Sequence, residues 1–407
     1  MPKRLLFVDD EPLVLQGLRR ALHSMRQEWE MNFVESGALA LAALEHDVYD
    51  AIISDMRMPM MDGPTLLEKV KERYPDVVRI VLSGQSSRSA VLRSISPAHQ
   101  YLSKPCDPQE LKLRLAQAFA TRDLLNNGSV MSLVSGLKSI PSLPPLYHNL
   151  MAELQAEEPS LTRMASIIAK DVGMAAKILQ LANSAFMGLR CQVSDLSHAV
   201  CMIGLDMLRA LVLTTHVFTE LEAHDGADSL FTSLWEHSVN VAALAQRIAI
   251  SEKASKQLID ESFTAGLLHD VGKAILLNGM GMRYGAIFEK AAGSPGLVAE
   301  AERELLSCTH GEVGAYLMGI WGLPSPLVNA VGFHDQPSLS IEPRFSALTT
   351  VHAADVIASF DHDPSPISHD VQLDETYLSK LGMVDKLQLW RTFRQEQLEH
   401  SQQKASV

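Results

Sequence analysis

Two groups of side chains in this 407-residue chain have the types and the order needed for chemistry. Near the N-terminus, Asp9-Asp10, Asp55, Ser83 and Lys104-Pro105 each follow a short apolar run. Clustered carboxylates repel one another, and a hard divalent cation with oxygen ligands relieves that repulsion. Mg2+ keeps several waters while bridging to phosphoryl oxygens, and a carboxylate at the mouth of such a pocket can attack phosphorus to form an acyl phosphate. Lys104 and Ser83 offer a cation and a hydroxyl to the charge that develops on the transferred group. Taken singly, an Asp after a strand is most often a turn or cap residue. The joint occurrence in this order carries the phosphoryl-transfer reading.

The second group is His237, His269-Asp270 with Lys273 close behind, His310, His334-Asp335 and Asp355. Imidazoles and carboxylates that converge from separate helices are how transition-metal sites are built in helical proteins. Spacing alone leaves two outcomes open here. Fifteen histidines place several on helices by chance, and a buried, hydrogen-bonded histidine is commoner than a ligand.

These residues need elements to hold them. Leu5-Leu6-Phe7-Val8, Ala51-Ile52-Ile53-Ser54, Arg79-Ile80-Val81-Leu82-Ser83 and Tyr101-Leu102 read as buried strands alternating with helical patterns, which predicts βαβ units and a parallel sheet. Each run ends in Asp, Ser or Lys, so polar groups collect at the carboxyl edge, where sites assemble in open α/β sheets. A helix from about Pro108 to Leu125 carries Leu111, Leu115 and Phe119 on one face and stops at Asn126-Asn127-Gly128. Its second half could run on as a connector or pack on its own domain. From about Val130 the strand signals disappear. Amphipathic segments take over at Leu161–Leu181, Ser197–Phe218, Ser229–Ile250, Lys256–Leu277, Val298–Trp321, Pro326–Phe333 and Phe345–Phe360. The expected fold is α/β plus all-α: a doubly wound, five-stranded parallel domain and then a larger all-helical one. The expected bounds are 1–120 for the first domain, 121–138 for a helical linker, 139–397 for the helical domain and 398–407 for a polar tail.

Composition narrows the function. The chain is 47% hydrophobic and 20% charged, as soluble globular proteins are. No apolar run approaches bilayer length, and the first apolar stretch is too short for a secretory signal, so a cytoplasmic location is expected. Cys106, Cys191, Cys201 and Cys308 show no paired spacing, which argues against a disulfide framework or a thiolate zinc site. The net charge of −13 comes without a Lys/Arg-rich run, which makes nucleic acid a poor candidate partner.

The N-terminal part resembles the receiver domain of two-component response regulators over about 120 residues. The resemblance is carried by Phe7-Val8-Asp9-Asp10-Glu11-Pro12, Asp55-Met56-Arg57-Met58-Pro59-Met60-Met61-Asp62-Gly63, Ser83-Gly84 and Tyr101-Leu102-Ser103-Lys104-Pro105. It implies that Asp55 accepts phosphate and that Asp9, Asp10, Asp55 and the backbone carbonyl of Arg57 hold Mg2+. Ser83 and Tyr101 would form a switch pair, and Lys104 would contact the phosphoryl group. A sensor histidine kinase is the implied partner.

The helical part is similar to the HDOD domain, a relative of the HD phosphohydrolases, over about 140–360. Ser142-Leu143-Pro144-Pro145-Leu146, Ile168 through Phe186 with its Asn183-Ser184, His198 through Leu205, Gly266 through Gly272, His310 through Leu317 and Trp321-Gly322-Leu323-Pro324 carry the likeness. HDOD domains are regarded as output modules without hydrolase activity, whereas the related HD-GYP enzymes cleave cyclic di-GMP at two or three metals. This chain keeps His237, His269, Asp270, His310, His334 and Asp355 as a vestigial metal set and Lys273 as a phosphate contact. Phe333 stands where a second adjacent histidine is expected, Ser233 where an upstream acid is expected, and Gln336-Pro337-Ser338 follows Asp335 in place of Gly-Tyr-Pro. The favoured expectation is a phosphorylation-dependent response regulator whose non-catalytic helical domain binds a protein partner; a homodimer is compatible with it. The alternative is a phospho-regulated, metal-dependent phosphohydrolase acting through His237, His269 and Asp270.

Overall fold

The computed structural model describes residues 2–83, 98–104, 106–123, 125, 128–136, 144–156, 158–183, 192–205, 208, 228–291, 297–340, 344–360 and 372–405. The N-terminal elements are β1 (Lys3–Val8), α1 (Pro12–Ala21), β2 (Trp29–Val34), α2 (Gly37–His46), β3 (Ala51–Asp55), α3 (Gly63–Arg73), β4 (Val78–Ser83), β5 (Gln100–Ser103) and α4 (Pro108–Arg122). All five strands are parallel, in the order β2-β1-β3-β4-β5. Val8 registers with Val34 on one side and Ser54 on the other, so the winding reverses at β1. The residues just past β1 and β3 are therefore neighbours at one edge, at the switch point where α/β sheets place their ligands.

Leu5, Leu6 and Phe7 of β1 and Ile52 and Ile53 of β3 are fully buried, as continuous apolar strands covered on both faces should be. The four apolar runs found in the sequence are β1, β3, β4 and β5. The remaining strand, β2, escapes that criterion because it is an edge strand that interleaves Glu30 and Asn32 with Trp29, Met31 and Phe33.

Past α4 the described elements are all helices: α5 (Gly128–Gly136), α6 (Pro144–Gln155), α7 (Leu161–Ile168), α8 (Val172–Ala182), α9 (Leu196–Ile203), α10 (Asp228–Ser251), α11 (Lys256–Leu268) and α12 (Val271–Met280). Then follow α13 (Met282–Ala291), α14 (Leu297–Leu306), α15 (His310–Ile320), α16 (Ser325–Phe333), α17 (Ala347–Phe360), α18 (Glu375–Lys380) and α19 (Leu387–Ala405). Three predicted long segments are each two helices, because polar residues restart the hydrogen-bond ladder inside them. Asp171 accepts from Met174 N at 2.8 Å and opens α8. Thr309 and Glu312 form a reciprocal capping box that opens α15. His269 and Asp270 stand between α11 and α12. Of the predicted helix at Ser197–Phe218 only the start is described, and most of its remainder lies outside the described residues.

The two parts share an interface. α4 ends at Arg122, with Asp123 as its cap, and its Thr121 sits against Gly319 of α15: a Cβ at Gly319 would lie 2.2 Å from Thr121 Oγ1. The buried Arg79 of β4 donates to the carbonyls of Pro75 (3.0 Å), Val77 (3.1 Å) and, on α5, Ser135 (2.7 Å). Ser135 Oγ lies 2.9 Å from Tyr316 Oη on α15.

Backbones meet most closely at Gly272, where a Cβ would stand 1.9 Å from the His310 carbonyl oxygen. Gly272→Ala is expected to destabilise the helical part by about 1–3 kcal/mol, because neither backbone can withdraw without moving a buried helix. A thermal melt of the variant beside the parent, followed by helical circular dichroism, checks this.

Candidate functional site

The first site lies at the carboxyl edge of the sheet. Asp9 and Asp10 follow β1, Asp55 ends β3 and Lys104 follows β5. Asp9 and Asp55 are buried and Asp10 is half-buried at the rim. Lys104 Nζ donates to Asp9 Oδ2 at 2.6 Å and is also paired with Asp55 Oδ1. Burial works against the Lys104 ammonium, but its hydrogen bonds to Asp55 and Asp9 outweigh that and raise its pKa. Backbone amides hold the remaining oxygens: Glu11 N donates to Asp9 Oδ1 at 3.0 Å, and Arg57 N to Asp55 Oδ2 at 2.6 Å. The turn after β3 folds back so tightly that a Cβ on Gly63 would lie 2.1 Å from the Asp55 carbonyl. Glycine is required there by space.

Asp9 and Asp55 share one ammonium, and Asp10 adds a third carboxylate next in the chain to Asp9, so the donor set fits a hard cation such as Mg2+. Tyr101 is buried in the apolar cluster that contains Val8, Ile52, Val81 and Ala98. Ser83 closes β4, and its side chain lies outside the described residues.

The second site is where the helices converge. His237 comes from the middle of α10, His269 and Asp270 from the break between α11 and α12, and His310 from the first turn of α15. His334 caps α16, and Asp355 lies in α17. All six are buried. His237 Nε2 is 2.9 Å from Asp355 Oδ1, and His269 Nε2 is 3.7 Å from the same oxygen and 3.3 Å from Asp270 Oδ2. The other oxygen, Asp270 Oδ1, faces His310 Nε2 at 3.3 Å and His334 Nε2 at 3.6 Å. Asp335 closes that side, 3.4 Å from His310 Nε2 and 3.5 Å from His334 Nε2. The sequence set is thus brought together whole, around a carboxylate that turns one oxygen to each half.

The tautomers are fixed from behind. His269 Nδ1 lies 2.7 Å from the Gly266 carbonyl and His334 Nδ1 lies 2.8 Å from the Val331 carbonyl. A carbonyl only accepts, so Nδ1 carries a proton in both rings and Nε2 is the atom turned into the cluster. His310 Nδ1 is held in the same way by Glu302 at 2.9 Å. Burial opposes charge on His310, yet the Glu302 carboxylate raises its pKa well above the usual histidine value. Burial likewise works against the Asp270 anion, and the neighbouring His269 and Lys273 overcome it, holding its pKa well below the usual range. Lys273 Nζ donates to Asp270 Oδ2 at 3.0 Å. Even so, His269 Nε2 and Asp270 Oδ1 are buried with no hydrogen-bond partner. A cluster of imidazole nitrogens and carboxylate oxygens aimed inward, with two buried atoms orphaned, fits first-row divalent metal ions bound by imidazole and carboxylate. Among the described residues, the groups close enough to share an ion are His237, His269 and Asp355; His269, Asp270 and His334; and His310, His334 and Asp335.

Asp335 was named beside His334 in the sequence group but left out of the vestigial metal set, although its adjacency to His334 was a signal. Glu302 gave none: it lies in Ala301-Glu302-Arg303-Glu304, which reads as a solvated helix face, yet Glu302 is fully buried and also accepts from Tyr284 Oη. Phe333 is half-buried and ends α16, and no described contact brings Ser233 to the cluster.

Residues 5–116 match the family model of the response regulator receiver domain, and residues 140–337 match that of the HDOD domain. The chain is a response regulator whose receiver domain is followed by an HDOD domain. It is 24% identical over 261 residues to an uncharacterized protein of Treponema pallidum, covering 64% of this chain and 50% of that protein. It is 36% identical over 109 residues to the hydrogenase transcriptional regulatory protein HoxA of Bradyrhizobium diazoefficiens, covering 26% of this chain and 22% of that one. The regulator thus spans half or less of the length of these relatives. Among solved structures it is similar to the MmoQ response regulator of Methylococcus capsulatus (24% identity, TM-score 0.47, 56% of this chain and 90% of that one). It is also similar to the signal receiver domain of an HD domain-containing protein from Pseudomonas fluorescens (34% identity, TM-score 0.29, 30% and 98%). Among the described residues no helix is long and apolar enough to cross a membrane.

Lys104 neutralises Asp9 and Asp55 together, so Lys104→Ala leaves two buried carboxylates facing each other. The expected loss is about 1–3 kcal/mol of receiver stability, less than for a fully enclosed pair because the lysine is partly exposed. Urea titration with and without millimolar Mg2+ checks it, and added Mg2+ should recover most of the loss.

Proposed function

We propose that this response regulator accepts a phosphoryl group on Asp55 from a sensor histidine kinase and passes the signal through its HDOD domain to a protein partner. The observation that carries this reading is the grip of Lys104 on both Asp55 and Asp9 at the sheet edge. An Asp55 carboxylate oxygen attacks phosphorus of the donor's phosphohistidine and the P–N bond breaks. The electron pair returns to the imidazole nitrogen, which takes a proton from solvent, and an acyl phosphate remains on Asp55. Asp9, Asp10, Asp55 and the Arg57 carbonyl would hold Mg2+, which would supply charge neutralisation to the transferred group. Lys104 moves from the carboxylate to the phosphoryl oxygens, and Arg57 N keeps Asp55 oriented. Ser83 and Tyr101 are the switch pair: the hydroxyl follows the phosphate and the ring fills the space it leaves. The chain acts in the cytoplasm, and its −13 charge without a basic run favours a protein over a nucleic acid as target.

Asp55→Asn is expected to abolish acid-labile phosphate after incubation with a small acyl-phosphate donor, while the parent is labelled at one site. Labelled Asp55→Asn protein would sink the assignment.

A second reading has a specific observation in its favour, the orphaned acceptors around Asp270. In it the HDOD domain holds one or two metal ions, with His237, His269, Asp270 and Asp355 on one side and His310, His334, Asp335 and Asp270 on the other. Lys273, which donates to Asp270, would be the phosphate contact in this reading. An ion there would supply Lewis acidity and a bound hydroxide for phosphodiester hydrolysis, for which cyclic di-GMP is the candidate. Metal analysis of protein loaded with Mn2+ and then desalted is expected to give at least one ion per chain, lost in His269→Ala. Absence of metal in the parent leaves the adaptor reading alone. Turnover of cyclic di-GMP by loaded protein would make the domain an enzyme.

A further inference from the structure

A carboxylate taken out of water must have its oxygens satisfied, and the fully buried Glu302 of α14 turns both of its oxygens to His310. Glu302 Oε2 accepts from the His310 backbone N at 2.9 Å and lies 2.9 Å from His310 Nδ1, while Oε1 is 3.1 Å from the same ring nitrogen. Tyr284 of α13, itself buried, donates its hydroxyl to Oε1 and holds the carboxylate from the far side. The His310 main chain is fixed on its other side too, because a Cβ on Gly272 would lie only 1.9 Å from its carbonyl oxygen. With backbone and ring both held, His310 Nε2 has one direction left. It stands 3.3 Å from His334 Nε2, 3.4 Å from Asp335 Oδ2 and 3.3 Å from Asp270 Oδ1.

Glu302 also differs in charge from the groups behind the neighbouring rings. His269 and His334 are backed by the neutral carbonyls of Gly266 and Val331. A carboxylate behind an imidazole fixes its orientation and makes the opposite nitrogen a stronger donor to a metal. Among the described residues, neither Glu302 nor Tyr284 belongs to a group close enough to share an ion.

We propose that Glu302, braced by Tyr284, is the positioning residue for metal at the His310 side of the cluster: it aims His310 Nε2 and sets how tightly His310, His334 and Asp335 hold an ion. The proposal rests on the metal-binding reading of the HDOD domain. It gives α13 and α14 a part in the site, since they carry the two side chains that steady a ligand borne by α15. The competing role is a structural one. Glu302 sits at the first turn of α15, where a negative charge steadies the helix. Thr309 and Glu312 already cap that turn reciprocally. A charge that only steadied the helix would change the melting of the metal-free protein and leave its affinity for metal alone.

Pulsed electron paramagnetic resonance of Mn2+ titrated into the metal-free full chain tests this. Nitrogen modulation marks ions held by imidazole and leaves out any in the all-oxygen pocket beside Asp55. Glu302→Gln keeps the size of the side chain, removes its charge, and should weaken imidazole-bound Mn2+ about 10–100-fold. Tyr284→Phe keeps the ring but unties one carboxylate oxygen, and should weaken the same ion to a smaller extent. If the parent holds imidazole-bound Mn2+ and Glu302→Gln holds it just as tightly, Glu302 is structural and the proposal is wrong, while the metal-binding reading stands. If the parent binds no Mn2+ through nitrogen, that reading fails and the proposal with it. Should Glu302→Gln not fold, Tyr284→Phe decides alone, and an unchanged affinity there overturns the proposal.

Discussion

Carboxylates brought together out of water repel, and this molecule is arranged around two places where that repulsion is held in check by very few cations. At the sheet edge, one ammonium from the end of β5 serves acids from the ends of β1 and β3. In the helical domain, Lys273 and the raised affinity of His310 for a proton do the same for Asp270 and Asp335. In each case the balance is local and incomplete. Such a site responds strongly to one added charge, whether a metal ion or a phosphoryl group, because the low-dielectric surroundings do not screen it.

The two sites solve the placement problem differently. The sheet does it by topology: the winding reverses at β1, and parallel strands then bring residues distant in the chain to a common edge. The helical domain does it by interrupting helices, so that His269, Asp270, His310 and His334 stand at helix ends, where backbone geometry frees the side chains to turn inward. Gly272 lets the starts of α12 and α15 approach until backbones touch, and Gly266 does the same for α11 against the middle of α10. Precision in the first site comes from hydrogen-bonded strands; in the second it comes from close packing.

How much of this could be read from the residues follows from the same distinction. Strand ends announce themselves, since an apolar run that stops at Asp or Lys marks both the element and its functional end; Asp9, Asp55 and Lys104 were legible for that reason. The edge strand β2 was not, because half of it faces solvent and its apolar residues are diluted. In the helical domain His237, His269, Asp270, His310, His334 and Asp355 could be named, yet their arrangement in two halves around Asp270 could not, because it depends on which oxygen faces which ring. Glu302 was hidden altogether. Its neighbours Arg303 and Glu304 are exposed, and nothing in a run of charges says which one turns inward to hold a histidine.

Arg79 makes the two domains depend on one another during synthesis. Its side chain is rooted in β4, but one of its acceptors, the Ser135 carbonyl, belongs to α5. While the nascent chain has emerged only as far as α4, the sheet is complete and that guanidinium lacks the Ser135 acceptor. Burying it in that state costs more than burying it in the finished protein. The receiver therefore reaches its final packing only once the start of the helical region has left the ribosome, and a fragment that ends with α4 would keep a half-finished seam facing water.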